Sequence, residues 1–447
     1  MRKSKRKSPA QFVADVYRAM DRKALAILLA LELGTLLLMI IYGRGAEFFP
    51  AAVLLMTFTA IICTITFYLG ADKFIIIFPT ALVNIGLMAQ VLESSRNISL
   101  IKYLFCTVVL CAALFLYRRF GFLLESPHMI RLMMAVQYAI CLVTLVLGRI
   151  SGDGARITFR DMTLLEFVKI LYVFVAAGML CGEKEDAMFP GLPLHKSTVY
   201  LTLHTAILSL FFVLCSEMGT LLVILLTYLI MNWVYGRDQK TAAALILVFV
   251  ASFALFWLFS DRYVLANSKA EGNLPGPVKK LILRFGYALH PERDISGGGY
   301  QGTLGLCALA LGGLVGIRSE RYRVNAGWFT LYGADNDFLF ANLAETGGFM
   351  LGMLIILMFI GLLVAGMNVA HGCQNRYLQG VAMAGSLLIF AEALIHIGYN
   401  LAVLPITGIP LYFCSYGFSA LTTGMGLTGV LLAISTGKVR KKREKSR

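Results

Sequence analysis

Long apolar runs separated by short polar breaks recur from residue 24 to residue 436. Runs near 24–43, 48–69, 74–92, 100–117, 130–148, 163–181, 198–215, 219–235, 241–260, 339–367, 380–403 and 412–436 are each long enough to cross most or all of a hydrocarbon core of about 30 Å as a helix. They are continuous in Leu, Ile, Phe and Ala, which favours helices over the alternating strands of a barrel. The pattern predicts an all-α fold, a polytopic integral membrane helical bundle with twelve spans. One interval between runs is long, residues 261–338. Within it GTLGLCALALGGLVG, 302–316, is apolar but about 22 Å long as a helix, too short to span. Its glycines 302, 305, 312, 313 and 316 suit close packing or irregular backbone. It reads as a re-entrant or interfacial element flooring a site, or else as an ordinary surface helix.

Composition agrees: 58% of residues are hydrophobic and 15% charged, against about 25% charged in soluble domains, and mean hydropathy is +0.76. The net charge of +15 is concentrated at the ends. Residues 1–7 contribute +5 and residues 438–447 contribute +6. Basic tails mark the cytoplasmic side, so both termini are expected there, which requires an even number of spans. The tails also suit anionic headgroups. They lack the interleaved aromatics of a nucleic-acid surface, and no nucleic acid is expected as a partner. With this topology 261–338 faces outward, as does the short loop carrying Arg149, Arg156 and Arg160, which strains the rule and marks those arginines as candidate binding groups. The nine cysteines form no CxxC pair and read as packing residues.

Carboxylates inside such a chain need a reason, because an ionised group at the centre of a bilayer costs about 2.5–3.5 kcal/mol on insertion scales. Asp335, Asp337 and Glu345 lie in GADNDFLFANLAETG, 333–347, a polar turn running into an apolar helix. Glu345 follows Asp337 by about two helical turns, so it faces similarly and lies about 12 Å deeper. Glu166 and Lys169 stand three apart in a predicted span and share a face, either as lining of a cavity or as a structural ion pair. Glu392 and His396 stand four apart on another span, either facing the same mouth or forming a core pair.

The motifs carry a resemblance. GADNDFLFANLAE resembles the HTDFIFAxxAEE signature of the SEDS family (shape, elongation, division and sporulation), and LPITGIPLYFCSYGFSA, 404–420, resembles its LPVTGIPLPFxSYGGSS. GDGARITF (152–159), LEFVK (165–169), SEMGT (216–220), and GYQ (299–301) before ALALGGLVG (308–316) follow in the family's order. The resemblance covers about 73–436, implying a SEDS-like ten-helix core between cytoplasmic tails 1–22 and 437–447, with an extra N-terminal transmembrane hairpin, 23–72. This is a divergent member: Asp335 and Asn336 stand for His and Thr, Ile157 and Thr158 for Arg and Trp, Glu217 for Asp, His396 for Asn, and Tyr412, Phe418 and Ala420 break the last motif.

The resemblance implies a peptidoglycan glycosyltransferase of the bacterial cytoplasmic membrane. It would polymerise lipid II, releasing undecaprenyl pyrophosphate from the growing glycan, beside a class B penicillin-binding protein that crosslinks the strands. That reaction needs a base and positive charge for the leaving group. Asp337 is the expected base, with Asp335 its rival, and Arg156, Glu166, Lys169 and Glu345 are the expected substrate-binding residues. Glu217, Glu392, His396, Ser415, Lys280 and Arg318 are further candidates. No cofactor is implied beyond a possible divalent cation, for which Glu345 would be a ligand. Small residues such as Gly352 or Gly361 would let the partner's single span approach closely. A lipid II flippase or an inactive scaffold of the wall-building complex would carry the same motifs without needing Asp337 as a base.

Overall fold

The computed structural model describes residues 26–28, 30, 33–34, 66, 68–93, 100–151, 158–159, 162–182, 188–189, 194–266, 276–288, 290–316 and 331–444. The predicted spans 24–43 and 48–69 fall mostly outside the described residues, as do Arg156 and Arg318. Each of the other ten predicted spans is a helix: α1 (Phe74–Glu93), α2 (Leu100–Phe120), α3 (Pro127–Ser151), α4 (Leu165–Cys181), α5 (Lys196–Leu214), α6 (Met218–Tyr235), α7 (Gln239–Ala266), α10 (Leu339–Gly372), α11 (Arg376–Asn400) and α12 (Phe418–Glu444). Between α7 and α10 lie two short helices, α8 (Gly276–Gly286) and α9 (Tyr300–Gly312). A two-residue-per-strand hairpin, Thr158–Phe159 (β1) with Met162–Thr163 (β2), leads into α4. Among the described residues eight helices are both long and apolar enough to cross a membrane, with Phe74–Gln90 of α1 a shorter apolar helix. The remaining span, α4, has 17 residues and carries Glu166 and Lys169.

Those charges are tolerated because α4 is wrapped by protein rather than lipid. Tyr172, Val173 and Val175–Ala177 are fully buried against α11, α3, α6 and α5. Helices α11 and α12 are almost wholly enclosed, whereas α7 exposes nearly all of its apolar surface and packs mainly on α8 and α6. A helix apolar on every side with few protein neighbours is the lipid-facing kind. Several side-chain hydroxyls within the bundle return to the carbonyl four residues back, as for Thr80, Thr144, Thr205, Thr227 and Thr428, which satisfies them without water. Helix starts are fixed locally. Asn375 Oδ1 caps α11 by accepting from the Tyr377 and Leu378 amides, at 2.7 and 3.2 Å. Asp238 precedes α7 and accepts from the Thr241 hydroxyl and the Lys240 amide, which holds its carboxyl below the ordinary range.

Two expectations change. The run 339–367 is not one uninterrupted helix: α10 breaks at Gly348, whose φ of 70° and ψ of −172° are non-helical. The break frees amides that the helix would otherwise bond, and α9's tail takes them, Phe349 N donating to Gly313 O at 2.8 Å and Met350 N to Leu314 O at 3.2 Å. A Cβ on Gly348 would lie 2.4 Å from the Leu314 carbonyl, so glycine is required for both conformation and space. Thus 302–316 forms α9 and a tail stitched to α10, not a free surface helix. The last span also starts later than 412, at Phe418, because 411–417 is a compact turn in which Leu411 N donates to Ser415 Oγ at 2.8 Å.

The small residues expected to admit a partner are occupied from within. A Cβ on Gly361 would lie 2.5 Å from the Phe78 ring of α1, and one on Gly352 would meet the Phe340 ring at 3.3 Å. Both close approaches serve the chain's own packing.

Candidate functional site

The turn Gly333–Phe338 is built by its own backbone. Asn336 N and Phe338 N both donate to Gly333 O, at 2.9 and 2.7 Å, and Gly333 has a φ of +74° that favours glycine. This projects Asp335, Asn336 and Asp337, all half-buried, just before α10. Two elements clamp it. From the end of α11, the Tyr399 hydroxyl lies 2.6 Å and Asn400 Nδ2 3.1 Å from the Asp337 carbonyl oxygen, while Asn400 Oδ1 accepts from Ala341 N at 3.0 Å. From the 404–417 loop, Ser415 Oγ donates to Asn336 O at 3.1 Å and Tyr416 N to Asp335 O at 3.1 Å. The Asp337 carboxylate accepts from Asn336 Nδ2 at 3.1 Å. The acid's backbone is therefore held by two helix-end side chains, and its side chain by the preceding residue.

His396 belongs to the same clamp. Its Nδ1 lies 2.8 Å from Ile409 O and 3.0 Å from the Tyr399 hydroxyl, which itself lies 2.6 Å from Ile409 O. A hydroxyl has one hydrogen, so Tyr399 donates to one carbonyl at a time. Ile409 O keeps a donor when His396 carries its proton on Nδ1 and gives it to that carbonyl, an assignment made from the network.

The Glu166–Lys169 pair is present and is larger than a pair. Lys169 Nζ stands 2.7 Å from Glu166 and 2.7 Å from Glu392 Oε1, with Lys169 and Glu392 fully buried. Tyr412 donates its hydroxyl to Glu166 Oε2 at 3.2 Å, which brings the 404–417 loop to the cluster as well. Glu392 Oε2 has no hydrogen-bond partner among the described residues. Glu392 and His396 thus do not pair with each other: one turns to α4 and the other to the loop.

The other candidates divide. Ser415 lies in the clamp. Glu345 is buried, one turn before Gly348, where the α9 end packs against α10 so closely that a Cβ on Gly312 would lie 3.0 Å from Glu345 Cα. Glu217 sits half-buried at the start of α6, and Lys280 is exposed on α8, each outside the contacts just described. Among the described residues no group of three His, Cys, Asp or Glu side chains comes together to hold a metal ion. Sequence reasoning missed Tyr399 and Asn400, although their spacing from His396 along one helix face was readable.

The fold and this clamped acidic turn define a class, a multi-pass helical membrane protein with a carboxylate held just before a helix and a separate buried ion cluster. The family model of the cell cycle proteins FtsW, RodA and SpoVE matches residues 62–440, and the chain belongs to that family. Stage V sporulation protein E of Bacillus subtilis is 38% identical over 34% of this chain and 42% of its own length. Peptidoglycan glycosyltransferase MrdB of Escherichia coli is 26% identical over 67% of this chain and 76% of its own. In fold, a chain of a peptidoglycan synthase complex that couples polymerization and crosslinking aligns with a TM-score of 0.55 at 19% identity, covering 82% of this chain and 98% of that one. The rod shape determining protein RodA of Thermus thermophilus aligns with a TM-score of 0.50 at 16% identity, covering 82% and 97%.

Proposed function

We propose that this protein is a peptidoglycan glycosyltransferase that polymerises lipid II at the outer face of the bacterial cytoplasmic membrane, with both termini in the cytoplasm. The acceptor's 4-hydroxyl attacks C1 of the lipid-linked sugar. The new C1–O bond forms as the bond from C1 to the diphosphate breaks, the hydroxyl proton passes to Asp337, and the leaving group departs as undecaprenyl diphosphate with its electron pair. Inversion at C1 follows from a single displacement. The observation that carries the reading is the clamp: Tyr399 and Asn400 fix the Asp337 carbonyl while Asn336 holds the carboxylate, so a half-buried base is aimed without reorganisation.

Two features support it. Family membership brings relatives named peptidoglycan glycosyltransferase, and the fold matches a chain from a complex coupling polymerization and crosslinking. On the same grounds a class B penicillin-binding protein is the expected partner. The test is purified protein with that partner and labelled lipid II. Glycan ladders insensitive to moenomycin support the transferase, and their absence favours a flippase or a scaffold.

A further inference from the structure

Where the end of α11 meets the 404–417 loop, one hydrogen faces two carbonyls. The Tyr399 hydroxyl lies 2.6 Å from the Asp337 carbonyl oxygen and 2.6 Å from Ile409 O, and it donates to one of them at a time. His396 Nδ1, 2.8 Å from Ile409 O and 3.0 Å from that hydroxyl, decides between them. With a proton on Nδ1, His396 serves Ile409 O and takes it out of the competition for the Tyr399 hydrogen. Without one, two lone pairs would face each other across 2.8 Å, and the Tyr399 hydrogen would be drawn toward Nδ1 or Ile409 O and away from Asp337. The other ring nitrogen points the same way. His396 is fully buried and its Nε2 has no hydrogen-bond partner among the described residues, so a proton on Nε2 would be a buried donor without an acceptor. Ring contacts keep the imidazole and the phenol in register: the His396 and Tyr399 centroids lie 5.1 Å apart, and Phe338, next to Asp337, meets the Tyr399 ring at 6.0 Å.

We propose that His396 is a positioning residue: with its proton on Nδ1 it binds Ile409 O and thereby assigns the Tyr399 hydroxyl to the Asp337 carbonyl, fixing the backbone of the acid. The effect on catalysis rests on the transferase reading above; the hydrogen-bond assignment does not. His396 stands where the family motif has Asn. Asn carries its amide N–H on the atom bonded to Cγ, as histidine carries Nδ1, whereas Gln carries it one bond further out, as histidine carries Nε2. The two amides therefore separate a donor at the Nδ1 position from one at the Nε2 position.

The experiment uses full-length protein in phosphatidylcholine nanodiscs, isotope-labelled in its six histidines for magnetic resonance. The His396 signals are those lost in His396→Asn, and correlation of the protonated ring nitrogen with Cγ or with Cδ2 identifies it as Nδ1 or Nε2. A proton on Nδ1 is expected, and a proton on Nε2 would overturn the assignment whatever the weakened variants do. Each variant is checked for monodisperse elution before turnover is measured. Loss of one hydrogen bond to the acid's backbone should lower kcat for lipid II about threefold to tenfold in His396→Gln with KM unchanged, and His396→Asn should recover most of it. Tyr399→Phe should lose about as much, and adding His396→Gln to it should lose little more, because both remove the same bond. Hydrogen exchange of the 333–338 amides should quicken in His396→Gln and not in His396→Asn. Equal kcat in the Gln and Asn variants, or exchange that quickens along α4 and α11 as much as in the turn, would make His396 a packing residue and overturn the proposal. Should wild type carry the proton on Nδ1 and the variants differ in exchange while no polymer forms, the transferase reading fails and the hydrogen-bond assignment stands.

Discussion

Lys169→Met removes the cation from between two carboxylates that lie 2.7 Å from it, in a cluster whose Lys169 and Glu392 are fully buried. Truncating one member of a buried ion cluster costs about 3–5 kcal/mol, because the remaining charge has nowhere to go. Against a typical stability of about 5–15 kcal/mol, that is about a fifth or more of the total. Rescue discriminates a triad from a pair. If Glu166 and Lys169 were an isolated pair, Glu166→Gln with Lys169→Met would restore stability. Because Glu392 is the third member, that double variant still strands one buried carboxylate, and only the triple variant, with Glu392→Gln added, should recover. Buried Cys106, Cys141, Cys181, Cys215 and Cys414 supply the assay, since a thiol-reactive dye added to detergent-solubilised protein during heating reports their exposure. The expected order of unfolding is single variant first, then double, with the triple near wild type. A single variant as stable as wild type, or a double variant as stable as the triple, would refute the three-member cluster.

Asp337→Asn should fold, bind its partner and make no glycan, read by lipid II gels. Full activity there with Asp335→Asn inactive would move the base to Asp335. Gly348→Ala places a Cβ 2.4 Å from the Leu314 carbonyl at a φ of 70°; it should cost about 1–3 kcal/mol and lower the dye-monitored unfolding temperature, and no shift would argue against the α9–α10 stitch. A cysteine introduced at Ser268 should react with an impermeant thiol reagent in whole cells while one at Ser446 should not, and the reverse pattern would invert the topology.

How much of this the sequence exposes depends on the range of each interaction. The ten described spans were legible because each is a local run of apolar residues, and the Glu166–Lys169 contact because three residues on a helix is a fixed geometry. The third member, Glu392, was not, since it lies 223 residues further along the chain and nothing local ties it to Lys169. The Gly348 break was hidden because glycine is common inside membrane helices, so Gly347 and Gly348 do not by themselves mark a stop. Its cause is the tail of α9, a tertiary partner. Gly352 and Gly361 showed that small residues marked close approach, but the direction of that approach, toward Phe340 and Phe78, depends on how helices turn in space.

The enclosure of α11 explains why the site could be built there. Glu392, His396, Tyr399 and Asn400 follow one another at i, i+4, i+7 and i+8, a single stripe along one helix face. On a lipid-facing helix such as α7 an ionised member of that stripe would cost about 2.5–3.5 kcal/mol. On α11 each polar group instead meets protein: Glu392 meets Lys169, His396 meets Ile409 O, Tyr399 meets the Asp337 carbonyl, and Asn400 meets both Asp337 O and Ala341 N. The stripe therefore joins the buried ion cluster to the acidic turn through one rigid element, and the 404–417 loop joins them a second time, through Tyr412 to Glu166 and Ser415 to Asn336. Two independent connections between cluster and turn restrict how far Asp337 can move relative to α4. The cluster thus acts on the acid by position, across two packed routes, rather than by direct contact with it.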